Sequence, residues 1–219
     1  MTESSGRPGL AGLPANLLVR GRRVVVVGGG RIAARKIAPL LDLGAVVEVV
    51  APEPGDEVRA WADAGRLVLH RRGFAPDDLR DAWLAFTATD DPTVNAAVHT
   101  AAEAARVWVN SADDPANCSF TLMSVIRRAD LVVTVGTGGR SPALAAHLRR
   151  VWEDELGPEY EILLDLLATE REAVRAAGRS TEGLDWQKAL NSDMLDLIRE
   201  GHVAHARERL QACLSSPSD

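Results

Sequence analysis

The stretch that decides the fold is Val24 to Lys36, VVVVGGGRIAARK. Four valines run into three glycines, and a basic, alanine-rich segment follows. β-Branched residues suit a strand, consecutive glycines a tight turn, and alanine, arginine and lysine a helix. Gly28, Gly30 and Ala33 give the form G-x-G-x-x-A across that strand, turn and helix start. In such a turn Gly28 permits the tight bend, and Gly30 lets the backbone approach a pyrophosphate. Ala33 is small enough for the helix to lie close to the sheet, and the helix N-terminus faces the phosphates. The pattern predicts a dinucleotide-binding turn.

Working outward, short β-branched runs alternate with alanine-rich segments of helical spacing from Arg22 to about Asn110, the sequence form of a βαβ sheet. Strands are expected at 24–27, 46–50, 67–70, 83–88 and 107–109. The first helix should cover 32–43 and stop at Gly44, and the second 56–64 with its stop at Gly65. Asp91 and Pro92 read as N-cap and first position of a third helix reaching Ala105. After Asn110 the character changes. SADDPANCSF reads as a loop and 131–135 as a strand, and GTGGRSP leads into a helix capped by Ser141. Leu144, Leu148, Val151 and Trp152 share one face of that helix, which Gly157 and Pro158 end. Beyond it, 159–177, 186–200 and 202–213 show helical patterns and no strand signal.

A hydrophobic fraction of 46% with 26% charged residues over 219 residues is ordinary for a globular chain with a core. No run approaches the roughly 18 apolar residues of a membrane span. The N-terminal MTESSGRPGLAGLPANL lacks the form of a secretory signal, so a cytoplasmic protein and no membrane partner are expected. The net charge of -6 argues against a general nucleic-acid binder. An anionic substrate would need a local cationic cluster, and Arg127, Arg128, Arg140, Arg149 and Arg150 supply a candidate. Cys118 and Cys213 are too few for a disulfide framework, and each reads as a buried or idle thiol. His70, His99, His147, His202 and His205 show no zinc spacing, and no nucleophile elbow or Walker lysine is present.

An NAD site usually places a carboxylate on the adenosine ribose at the end of the second strand. That strand here ends VVAPEP, so only Glu53 follows it, and no base lies between Ala51 and Glu57 to receive a 2′-phosphate. NAD is favoured over NADP. Two more loops, TATDDP and NSADDP, should line the same sheet edge. Asp90 would lie near the nicotinamide, while helix capping accounts for Asp91. Asp114 before Pro115 satisfies the turn of the second loop, which leaves Asp113 as the spare carboxylate.

Read together, VVVVGGGRIAARK, TATDDPTVN, NSADDPANCSF and GTGGRSPALAAHLRR resemble the N-terminal module of siroheme synthases and their stand-alone relatives. These are precorrin-2 dehydrogenases, some of them also sirohydrochlorin ferrochelatases. The resemblance runs from about Leu13 to Trp152. It implies an α/β architecture: an NAD-binding Rossmann domain over 1–115, a mixed dimerisation region over 116–156 and a small all-helical C-terminal domain over 157–219. It also implies a homodimer, with precorrin-2 and sirohydrochlorin as ligands and NAD as the hydride acceptor. Cofactor contacts are expected at Gly28, Gly30, Arg31, Ile32, Ala33, Pro52, Thr89 and Asp90. The family's functional carboxylate, in its N-x-x-D-x-P loop, falls on Asp113, which the resemblance makes catalytic. Substrate contacts fall on Asn110, Thr137, Gly138, Arg140, Ser141 and Arg149. The proline that usually follows the S-F-x-x stretch is Met123 here.

The substrate is rich in carboxylates, which gives the arginine cluster a purpose, and a carboxylate beside the nicotinamide could take the proton that leaves as hydride departs. Two other readings of the glycine turn stay open: a module that senses NAD redox state and regulates a partner without catalysis, and a different small NAD-linked oxidoreductase. The first requires the glycine turn but no spare aspartate. No metal-ligand residues are expected, and iron insertion stays an alternative second activity.

Overall fold

The computed structural model describes residues 12–112 and 114–215. Its contacts divide the chain into two compact units that part between Leu122 and Met123. The first unit carries β1 (Arg23–Val27), α1 (Arg31–Asp42), β2 (Val46–Val50), α2 (Asp56–Asp63), β3 (Val68–His70), β4 (Leu84–Thr87), α3 (Pro92–Ala105) and β5 (Trp108–Ser111). All five strands are parallel, in the order β3-β2-β1-β4-β5. β1 lies at the centre, which explains why Val24 to Val27, the four residues after Arg23, are all apolar rather than alternating. Val24 and Val26 pack with Ile37 and Leu40 of α1 and Val58 of α2. Val25 and Val27 face the other way, onto Leu79 and onto Val98 and Ala102 of α3. The chain runs from β1 outward to β3 and then returns to β4 on the opposite side of β1. The crevice at the carboxyl ends of β1 and β4 is therefore the switch point where ligands of such sheets bind.

The helix boundaries follow their caps. The Asp91 carboxylate accepts from the Thr93 amide at 2.8 Å, with Pro92 in the first turn of α3. α1 and α2 each end two residues before the expected glycine. The strand expected at 107–109 is shifted to Trp108–Ser111, which brings Asn110 and Ser111 into the sheet opposite Phe86 and Thr87.

The second unit carries β6 (Ser124–Arg128), β7 (Leu131–Val135), α4 (Pro142–Glu155), α5 (Glu159–Ala176), α6 (Trp186–Leu190), α7 (Met194–Arg199) and α8 (Val203–Ser215). β6 was not expected from the sequence. SVIRR offers only two apolar residues before a pair of arginines and does not read as a strand by itself; it is held by antiparallel pairing with β7 across a tight turn at Ala129 and Asp130. Ala129 takes the positive φ that such a turn demands, without the glycine or asparagine that would advertise it. The helix expected over 186–200 is two. Ser192 donates to the Ala189 carbonyl at 2.6 Å, a local bond that competes with helix continuation. The last four helices enclose one core that includes Leu163, Leu166, Met194, Ile198 and Leu210, with the Cys213 thiol buried among them. Among the described residues no helix is long and apolar enough to cross a membrane.

One polar element crosses the sheet. Glu48 on β2 accepts from Arg23 on β1 through both oxygens, at 2.7 and 2.9 Å, and lies 3.2 Å from Nε2 of His70 on β3. The Arg23 guanidinium holds the Glu48 carboxyl below its ordinary range, against the opposing effect of burial. A depressed carboxylate pKa contributes stability above the unfolded value, and that contribution is lost as pH falls through the folded one. Glu48→Gln should therefore cost about 1–2 kcal/mol at neutral pH. This is roughly 3–8 °C in melting temperature for a domain of this size. Thermal melts followed by circular dichroism should show the difference between variant and wild type closing as pH drops below the ordinary carboxylate value of 4.5.

Candidate functional site

The three glycines do three different things. Gly28 has φ +111°, and a Cβ there would lie 2.3 Å from the Ala88 carbonyl oxygen. No other residue fits, because the turn presses directly on the end of β4. Its amide donates to Val50 at 2.9 Å, so the ends of β1, β2 and β4 meet around it. A Cβ on Gly29 would come within 2.8 Å of Pro54 and 2.9 Å of the Ala51 side chain. The loop between β2 and α2 lies against this glycine and is pinned by a 2.9 Å bond from the Gly55 amide to the Gly29 carbonyl. Gly30 is the opposite case, since a Cβ there would meet nothing within 4 Å. It leaves open backbone at the start of α1.

That opening has the chemistry of an anion site. Among the described residues no side chain caps α1, and its first turn holds no acid. The amides of Arg31, Ile32 and Ala33 are the uncapped donors of that turn, at the positive end of the helix dipole. Ala33 is fully buried, which lets α1 sit close against the sheet. A cleft of about 390 Å³ opens here, lined by Gly29, Gly30, Arg31, Gly55, Asp56 and Glu57 among others. Exposed backbone donors, a missing Cβ and a helix N-terminus are what a dinucleotide pyrophosphate needs, so the residues present fit that group.

The remaining expected cofactor residues surround this edge. Pro52 and Asp90 are exposed. The Thr89 hydroxyl donates to Asn95 at 2.9 Å and belongs to the cap of α3. Asn110 is 7% exposed, and its side chain is fully engaged within the first unit. Lys36 of α1 donates to its Oδ1 at 2.8 Å, while its Nδ2 donates to the Phe120 carbonyl at 3.0 Å. Asp113 lies outside the described residues. Asp114 accepts from Asn117 at 2.5 Å within the turn that follows β5. The Cys118 sulfur accepts from the Ser111 amide at 3.1 Å, and burial pushes its thiol pKa up, which makes it a structural thiol rather than a nucleophile.

Thr137, Gly138, Arg140 and Ser141 belong to the turn that joins β7 to α4 in the second unit, and Arg149 lies two turns into α4. The Thr137 hydroxyl accepts from the Ser141 amide at 3.2 Å and its carbonyl from the Arg140 amide at 3.1 Å, which closes the turn around Gly138. Ser141 caps α4 by accepting from the Leu144 amide at 3.1 Å. Arg149 is paired with Glu153, whose carbonyl also accepts from Arg128 at 2.8 Å. Arg127, Arg140 and Arg150 are exposed. Met123, in the place of the usual proline, lies against Gly136, where a Cβ would come within 3.2 Å of its sulfur. Sequence reasoning missed the clamp of Pro54 and Gly55 over Gly29, and also the Lys36–Asn110 bond. The first had a signal, a Pro-Gly pair immediately before a helix; the second had none, since 74 residues separate the partners.

A family model described as "Putative NAD(P)-binding" matches residues 15–124. The siroheme synthase of Nitrosococcus oceani is 35% identical over 204 residues, covering 92% of this chain and 44% of that protein. Siroheme synthase 2 of Yersinia pseudotuberculosis is 37% identical over 197 residues, covering 88% of this chain and 41% of that protein. The chain thus spans less than half the length of the curated relatives it matches. Among solved structures it is similar to SirC, a precorrin-2 dehydrogenase, with a TM-score of 0.68 and 26% identity. That likeness covers 92% of this chain and 98% of the other.

Filling the open position should separate binding from folding. Gly30→Val is expected to abolish NAD binding in calorimetry while the melting temperature stays within a few degrees of wild type. Normal NAD binding by this variant would place the cofactor elsewhere.

Proposed function

The chain belongs to this NAD(P)-binding family, and from that premise we propose that it is an NAD-dependent dehydrogenase converting precorrin-2 to sirohydrochlorin in siroheme biosynthesis. The observation that carries the reading is the extent of the likeness to SirC. It spans 98% of that chain, so it takes in the second unit, which a nucleotide-binding turn alone leaves unexplained. A cytoplasmic location is part of the reading.

NAD, when bound, supplies the acceptor for one hydride. The protein's own residues hold, orient and exchange a proton. The open backbone at Gly30 and the amides of Arg31, Ile32 and Ala33 receive the pyrophosphate, with Pro52, Thr89 and Asp90 at the rim. Asp113 takes the proton that leaves the macrocycle as hydride departs, or orients the ring for that loss. The products are then sirohydrochlorin, NADH and one proton. Thr137, Gly138, Arg140, Ser141 and Arg149 meet the carboxylates of the substrate. Asn110 acts through the loop it anchors. Holding two flat reactants face to face is the larger part of the work.

A second copy of the chain is the partner in this reading. Leu144, Val151 and Trp152 on α4 are 48%, 42% and 42% exposed. Val125 and Val132, on the outward face of the hairpin, are 42% and 39% exposed. Isolated apolar residues on a surface mean little, but several on one helix face and its neighbouring hairpin favour an isologous contact. Light scattering should give twice the chain mass of 23.4 kDa, and Trp152→Glu should shift the population toward monomer.

The decisive assay incubates the purified chain with NAD and precorrin-2 and follows sirohydrochlorin absorbance. Turnover is expected; its absence with NAD still bound would favour a redox-sensing module, and activity on another small substrate would favour a different oxidoreductase. Adding ferrous iron to the same assay reads whether sirohydrochlorin goes on to siroheme. Asp113→Asn should keep NAD affinity and thermal stability and lose about 10²–10⁴ in turnover. Turnover within a few-fold of wild type would move the role to another group, with Asp90 next to test.

A further inference from the structure

We propose that Asp56 and Arg59, an ion pair on the first turn of α2, set the preference of the cleft for NAD over NADP, with Asp56 excluding the 2′-phosphate and Arg59 as the receptor it silences. The inference rests on the nucleotide reading above and names which side chains decide between the two cofactors.

The loop that carries the pair is fixed to the glycine turn. Pro54 lies where a side chain on Gly29 would be, and the Gly55 amide is bonded to the Gly29 carbonyl. Arg59 extends that anchoring. One of its nitrogens bonds the Pro54 carbonyl and another pairs with the Asp56 carboxylate. The guanidinium thus folds back from two residues beyond the 51–57 stretch in which the sequence shows no base. Asp56 itself projects outward, with its side chain 96% exposed, and it lines the cleft together with Gly30 and Arg31.

In sheets of this class the adenosine half of the dinucleotide lies toward the carboxyl end of the second strand, which here means toward this loop. The loop offers three carboxylates, Glu53, Asp56 and Glu57, against one guanidinium that is already neutralised. A ribose hydroxyl can donate to a carboxylate, whereas a phosphate offers only acceptors and adds negative charge to negative charge. Arginine, by contrast, recognises phosphate through paired donors. Removing the charge of Asp56 therefore changes two things together. It weakens the contact for a free hydroxyl, and it releases a guanidinium that its bond to the Pro54 carbonyl keeps against the loop after β2.

The test is calorimetric titration of NAD and NADP into wild type, Asp56→Asn, Arg59→Ala and the double variant, all as the full chain. Wild type should bind NAD more tightly. Asp56→Asn should move the affinity ratio toward NADP by about tenfold or more, and the double variant should lose the NADP gain. Arg59→Ala alone should give no gain in NADP affinity over wild type. Because Asp56 is exposed and caps no backbone amide, the variants should melt with wild type, and the ratio is read only from variants that do. An Asp56→Asn ratio within twofold of wild type would overturn the inference and leave the NAD reading intact. A gain in NADP affinity that survives Arg59→Ala would overturn the role of Arg59. Wild-type protein that bound neither cofactor would overturn the nucleotide reading itself.

Discussion

The contact between Gly28 and the Ala88 carbonyl governs the rest of the first unit. A side-chain carbon would have to occupy space 2.3 Å from that oxygen, in a backbone conformation that L-residues rarely adopt. The absence of a Cβ lets the chain leaving β1 turn beneath the end of β4, and so sets the start of α1 over the crevice where strand order reverses. Gly29 repeats the device toward β2, since Pro54 and Ala51 close over it. Only after two glycines have been used for packing does the third face open space. The phosphate-ready opening at Gly30 is thus the residue of two packing constraints rather than an isolated feature.

Electrostatics follow the same local logic. The chain has a net charge of -6, yet the first turn of α1 holds no acid and no capping side chain, so its amides present partial positive charge undiluted. α2 starts instead with Asp56 and Glu57, which complement its own dipole and leave it unsuited to an anion. Two helix N-termini on one sheet edge are therefore chemically different. Behind them, Lys36 ties α1 to Asn110, and Asn110 ties β5 to Phe120, whose ring packs edge-on against Phe86 at 5.4 Å. The helix that begins at the Gly30 opening is in this way joined to the loop that follows β5. Asn110 sits in that chain of bonds as a support.

Much of this was legible because the signals were local. The unbroken valines of β1 reported burial on both faces, Asp91 with Pro92 reported a helix start, and the order of glycines reported the turn. What stayed hidden depended on partners distant in sequence or on atoms that residue types do not specify. β6 exists through its pairing with β7, and Ala129 holds a conformation its identity does not advertise. The break between α6 and α7 rests on one serine hydroxyl. Gly29 was visible as a glycine, but its task required knowing that Pro54 would come to lie against it. Arg59 was too far along the chain to count among the residues of the second-strand loop, and only the fold brings its guanidinium back to Pro54.

The arginines of the second unit show why a count of charges differs from a binding field. Five fall between Arg127 and Arg150, but Glu153 engages two of them in different ways. Arg128 donates to the main-chain carbonyl of Glu153, a bond that joins β6 to α4 and cannot be surrendered without disturbing their packing. Arg149 pairs with the Glu153 carboxylate one helical turn away, at the partly exposed surface, where such pairs are worth about 0.3–0.5 kcal/mol. That is small beside a charge-assisted bond to a ligand carboxylate. The Arg149 pair can open at little cost while the Arg128 bond keeps the hairpin and helix in place. Mobile and fixed cations are thus separated by whether their present acceptor is a side chain or the backbone.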